Sequence, residues 1–160
     1  MLKFDLAASP SGLRFEGYAS LFDRVDLSGD VVRRGAFAAS LAEAPPSAVR
    51  MLYQHEAGEP VGVWDDIRED DQGLFVRGRM LPAGVRGRAA ARLVASRAVD
   101  GLSIGYRVRR AVKRSDGVRE LIDVELWEIS IVTFPMLPQA RLKVVADMQV
   151  RELEQARLRA

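Results

Sequence analysis

Leu2, Phe4 and Leu6 alternate with Lys3 and Asp5, the period-two pattern of a half-buried strand, and a Ser-Pro-Ser-Gly turn leads into a second run from Leu13 to Ser20. The opening therefore predicts a hairpin. From Asp23 to Gly35 polar and turn-forming residues dominate, after which Ala36 to Ala44 suits a short helix stopped by Pro45 and Pro46. Strand-like runs return at Ala48 to Gln54, Val61 to Arg68 and Gly73 to Leu81. Gly84 to Val99 predicts a helix, with Val85, Ala89 and Leu93 as its apolar stripe and most arginines off it. A strand from Leu102 to Val108, another from Val118 and a strongly apolar one through Ile129 to Phe134 follow. The tail, 146–160, sets Met148, Leu153 and Ala156 among charges and predicts an amphipathic or surface helix. Six or seven short strands with two or three helices outline a mainly β or α+β domain over residues 1–145, because the βα rhythm of a parallel sheet is missing.

Composition narrows the chemistry. The 160 residues, 48% hydrophobic and 29% charged, suit one globular domain that can hold a core without staples. The absence of cysteine excludes disulfides, thiolate zinc sites and a cysteine nucleophile. No apolar run approaches the roughly 18–20 residues of a membrane span, and the start MLKFDLAASP lacks the layout of a signal peptide, so a cytoplasmic protein without membrane contact is expected. A net charge of +2 gives no footprint for nucleic acid. Arginine outnumbers lysine 21 to 3, which suits phosphate recognition and equally the coding bias of a GC-rich genome. His55 is the only histidine, so mechanisms needing two imidazoles are excluded.

Gly101-Leu102-Ser103-Ile104-Gly105 fits G-x-S-x-G, in which glycines let the chain turn around an exposed serine; the opening of a plain strand with a buried serine reads the same. An α/β-hydrolase orders its triad serine, acid, histidine, whereas here the histidine precedes the serine, so another fold must hold Ser103. A serine hydroxyl needs a base, and His55, at the end of the apolar run Met51 to Gln54, is the only imidazole available. The imidazole in turn needs a group to fix its tautomer, and Asp123, Glu125 and Glu128 lie in an apolar strand where a buried carboxylate requires a partner. Strict alternation puts Glu125 on one face with Trp127, Ile129 and Ile131, and Glu128 between Leu126 and Ser130 on the other, which does not choose between them. Asp26-Leu27-Ser28-Gly29-Asp30 has too few oxygens for a calcium loop and reads as a turn. Arg107 to Arg114 reads as the solvated face of a hairpin closing at Ser115-Asp116-Gly117.

In order and spacing, a set of segments resembles the prohead (head maturation) serine proteases of tailed phages and gene-transfer particles, up to about Val145. They are Phe15-Glu16-Gly17-Tyr18-Ala19-Ser20, Gly29-Asp30 with Gly35-Ala36-Phe37, Leu52-Tyr53-Gln54-His55 followed by Pro60-Val61-Gly62 and Trp64, Gly73-Leu74 with Gly78, Asp100 to Tyr106, and Glu128 to Pro135. The resemblance implies a serine endopeptidase that acts inside the assembling procapsid in the bacterial host, trims the scaffold or N-terminal segment of the major capsid protein and cleaves itself, with a homo-oligomer left open. It also implies an assemblin-like β-barrel of six to seven strands flanked by helices. Assemblins use histidine, serine and a second histidine; with one histidine here, Glu128 looks like the third member, Glu125 being the reserve. No cofactor or metal is implied. The alternative is a protease-like capsid assembly or scaffolding factor without activity.

Overall fold

The computed structural model describes residues 12–145. The first half of the expected N-terminal hairpin and the expected tail helix lie outside the described residues. Among the described residues no helix is long and apolar enough to cross a membrane.

Strand β1 (Leu13–Leu21) is followed by a polar loop and a short strand, β2 (Asp30–Val32). Helix α1 (Ala38–Glu43) ends where expected: Ala44, the residue before Pro45, is extended at φ −147°, ψ 145°, because a proline ring disfavours helical backbone in the residue ahead of it. After a 3-10 turn at Pro46–Ala48 come β3 (Arg50–Tyr53), β4 (Pro60–Glu69) and β5 (Gly73–Met80). Helix α2 (Gly84–Ala95) precedes the hairpin β6 (Gly101–Lys113) and β7 (Arg119–Val132), and β8 (Leu142–Val144) closes the described chain.

One sheet runs β2-β7-β3-β4-β5-β1-β8, with β6 also on β7. Because β7 is long, it takes β6 along one edge, while β2 and β3 share the other at its two ends, both parallel to it. The ends of the sheet then meet, since Gly101 at the start of β6 bridges Arg141, just ahead of β8. The result is a curled, strand-rich sheet around one core, with Leu13, Phe15, Leu74, Val76, Met80, Ile129 and Ile131 buried in it. Trp64 meets Phe15 edge-on at 5.6 Å. Gly78 makes room for this packing, as a Cβ there would lie 2.8 Å from the Trp64 ring and 2.7 Å from Met51 Cε.

Three expectations change. The two runs expected from Val118 and through Ile129 are a single 14-residue strand, because β-bulges carry the chain past its polar middle without breaking the ladder. The turn-rich stretch before Gly35 contains β2, too short to show a period. In α2 the buried face is Gly87, Ala90, Ala91 and Val94, whereas Val85 and Leu93 of the expected stripe are exposed. Small side chains let the helix lie close to its own lead-in: a Cβ on Gly87 would be 3.0 Å from the Leu81 carbonyl oxygen.

Candidate active site

The chain leaves β3 through two consecutive left-handed residues, Gln54 (φ 54°) and His55 (φ 61°). Side chains crowd the backbone in that region at a cost of about 1–3 kcal/mol each, so the turn persists only where neighbours hold it. Four hydrogen bonds do so. The Gln54 amide N–H donates to the Ile131 carbonyl at 2.9 Å, its Nε2 donates to Thr133 Oγ1 at 2.7 Å, and its Oε1 accepts the Thr133 N–H at 3.2 Å. The His55 N–H donates to Ser130 Oγ at 3.1 Å. The loop after β3 is thereby fastened to the end of β7, and the imidazole is set beside that strand.

Across the β6–β7 ladder Ser103 stands opposite Ser130, and Gly105 opposite Glu128. Opposed residues of an antiparallel pair point to the same face, so Ser103, Ser130 and Glu128 share one side of the hairpin. Strict alternation would also put Leu126 there. Instead the register steps from Gly105↔Glu128 to Tyr106↔Leu126, leaving Trp127 as an extra, exposed residue. This bulge turns Leu126 into the core with Ile129 and Ile131 and separates it from Glu128 and Ser130. Both face groupings drawn from simple parity are therefore broken by one inserted residue.

Glu128 reaches His55: Nδ1 and Oε1 are 2.5 Å apart. Its other oxygen, Oε2, accepts the Ser130 hydroxyl at 2.7 Å. The Glu128 side chain lies over Gly105, where a Cβ would come within 2.7 Å of both its Cγ and Cδ. The hydrogen bond to Glu128 holds the His55 pKa above its ordinary 6.5, the carboxylate charge adds to that, and burial works against it. With Nδ1–H donating to the carboxylate, the neutral ring keeps its lone pair at Nε2.

The other carboxylates lie elsewhere. Glu125 pairs with Arg107 at 2.6 Å and with Arg109 at 3.7 Å. Asp123 stands opposite Arg110 on the ladder, its Oδ1 buried with no hydrogen-bond partner among the described residues. The Asp26 to Asp30 segment forms a turn, with Asp26 Oδ1 accepting the Ser28 N–H, the Ser28 hydroxyl and the Asp30 N–H.

His55 and Ser103 line one cleft of about 200 Å³, walled also by Arg24, Asp26, Asp30 and Tyr106. No hydrogen bond joins Ser103 to His55, and the Ser103 hydroxyl has no hydrogen-bond partner among the described residues. In the wall of the cleft, buried Asp30 accepts two hydrogen bonds from Arg119, at 2.8 and 2.6 Å, and one from the Tyr106 hydroxyl at 3.1 Å. These bonds, Arg119 first, hold the Asp30 carboxyl below its usual range, although burial pushes the other way. Tyr106 is pushed far up, first by burial and then by the charge of Asp30. The sequence marks Gly105, Gln54, Thr133, Ser130 and Asp30 as members of the family-like segments but gives them no role in holding His55 and Glu128, and it does not pair Asp30 with Arg119.

Residues 3–156 match the family described as caudovirus prohead serine protease. Over 149 residues the chain is 35% identical to the prohead protease of Enterobacteria phage HK97, which covers 88% of this chain and 65% of that protein. The chain thus spans somewhat under two thirds of the length of this curated relative. Among solved structures, the bacteriophage T4 capsid assembly protease is similar with a TM-score of 0.63 at 13% identity, over 76% of this chain and 82% of that one. KSHV protease in complex with a hexapeptide phosphonate inhibitor gives 0.58 at 15%, over 87% and 67%. Varicella-zoster virus protease gives 0.56 at 14%, over 86% and 66%. At such identities these structures share the fold.

Proposed function

The chain belongs to the caudovirus prohead serine protease family, and on that premise we propose that it is a serine endopeptidase of capsid maturation with Ser103 as nucleophile, His55 as base and Glu128 as the orienting acid. The observation that carries the reading is the 2.5 Å contact of His55 Nδ1 with Glu128, made by an imidazole that lines the same cleft as Ser103. Nε2 takes the Ser103 proton as Oγ attacks a peptide carbonyl, and the imidazolium then returns that proton to the leaving amine, leaving an acyl enzyme. Water, deprotonated by the same nitrogen, releases the acid product and regenerates the serine. Glu128 stabilises the imidazolium between the two transfers and keeps the tautomer that leaves Nε2 free.

The substrate in this reading is the scaffold or N-terminal segment of the major capsid protein precursor, cut inside the procapsid, together with the protease itself. Support comes from the family, and from the likeness to the HK97 prohead protease and, in fold, to the T4 capsid assembly protease. The test is labelling with a fluorophosphonate followed by peptide mapping, alongside co-expression with capsid precursor. Ser103 is expected to carry the label, and Ser103→Ala to leave the precursor intact while melting like the wild type. An unlabelled Ser103 in a folded protein, or a Ser103→Ala variant that still cleaves, would overturn the reading; the former leaves the noncatalytic assembly factor in its place.

A further inference from the structure

Ser130 is fully buried and has no part in the chemistry proposed above, yet its single hydroxyl touches both halves of the histidine–glutamate pair. A hydroxyl offers one proton and two lone pairs. Here the proton goes to Glu128 Oε2 at 2.7 Å, and a lone pair receives the His55 backbone N–H at 3.1 Å. The two groups it holds are a glutamate with three side-chain torsions to fix and a histidine in a left-handed turn that persists only where neighbours hold it. Ser130 itself is pinned, because β7 is paired there on both edges, to Leu52 of β3 and Ser103 of β6.

We infer that Ser130 is a positioning residue that fixes the distance and angle between the His55 imidazole and the Glu128 carboxylate, by referring both to the doubly paired centre of β7. With Oε2 occupied by the hydroxyl, Oε1 is the oxygen turned to the ring. With the amide of His55 occupied, the turn cannot relax and carry the ring away. This inference rests on the serine protease reading for its catalytic consequence, but its geometry can be tested apart from activity.

The test uses the fact that the chain has one histidine, so a single imidazole resonance reports on the pair without ambiguity. The full chain is titrated by NMR without substrate, as wild type and as Ser130→Ala, and cleavage kinetics are measured in parallel. The other ionisable groups lining the cleft, Arg24, Asp26, Asp30 and Tyr106, and Glu56 beside the histidine in sequence, are the same in both proteins. Loss of positioning lets the carboxylate drift from the ring, so the His55 titration is expected to fall toward 6.5 in Ser130→Ala. The rate constant kcat is expected to fall about 10–100-fold, up to the roughly hundredfold effect of misplacing a catalytic group by 1 Å, with KM little changed. Ser130→Thr, which keeps the hydroxyl, should titrate like the wild type. Should alanine not fold, Ser130→Cys keeps the volume with a weak donor and is expected to shift the titration the same way.

An unchanged titration would overturn the inference. So would a rise, because a hydroxyl that merely draws charge from the carboxylate would, once removed, leave a stronger partner for the imidazolium. Failure of the serine protease reading is separable: it appears as an unlabelled Ser103 whatever the titration does.

Discussion

Gly105 stands directly opposite Glu128 across the β6–β7 ladder, and the space its missing side chain leaves is where the glutamate lies on its way to His55. The second glycine of the G-x-S-x-G segment is therefore explained by the acid rather than by a turn around the serine.

Gly105→Ala should consequently damage the site more than the fold. The new methyl must displace Glu128, and overpacking of this kind costs about 1–3 kcal/mol. Cleavage of a peptide substrate is expected to fall at least about tenfold, as for loss of a positioning contact, while the melt stays cooperative. Wild-type activity in a folded Gly105→Ala protein would show that Glu128 need not lie where it does.

The acid limb of the pH–rate profile follows from His55. Only the neutral ring can accept the serine proton, and Glu128 holds its pKa above 6.5, so kcat/KM should rise with pH through a midpoint above 6.5. In Glu128→Gln the midpoint should move down toward 6.5 and the maximum fall by about 10²–10⁴, the scale for losing the orienting acid of a triad. For stability the sign is opposite. A raised folded-state pKa contributes stability that is full below the unfolded value near 6.5 and lost as pH rises through the folded value, so the pair helps the fold most at the pH where the proposed catalysis is slowest.

Glu125→Gln is the matching control, since Glu125 is engaged by Arg107 and Arg109. It should leave the His55 titration and the acid limb unmoved, and an effect as large as that of Glu128→Gln would reassign the acid.

Arg119→Ala tests the buried carboxylate of Asp30 in the wall of the cleft. It would leave the Asp30 carboxylate with the Tyr106 hydroxyl but no cation, at a cost of about 1–3 kcal/mol, kept modest because Arg119 is half exposed. Because Asp30 is depressed in the fold, its contribution is present above the unfolded carboxylate value near 3.8 and lost as pH falls through the lower folded one. The gap between wild type and variant in urea melts should therefore be full at pH 7 and shrink below pH 4.

Much of this protein can be read along the chain because much of it is local. Alternation marks β1, β4 and β5, the double proline ends α1, and the Ser115-Asp116-Gly117 turn closes the β6–β7 hairpin. His55 and Ser103 were also visible as candidates, since a chain with one histidine and no cysteine offers few ways to activate a hydroxyl, whereas Glu128 stood ahead of Glu125 only through the family resemblance.

What alternation could not supply was phase. The extra residue at Trp127 costs nothing in a list of hydrophobic positions, but it resets which side chains face the core, and that choice is made by the partner strand, whose ladder skips one residue there. The face that α2 buries, the hydroxyl of Ser130 between His55 and Glu128, and the contact of Glu128 with a histidine 73 positions away all depend on which strands lie beside one another. Local periodicity reports how each segment would bury itself; only the closed sheet decides against what.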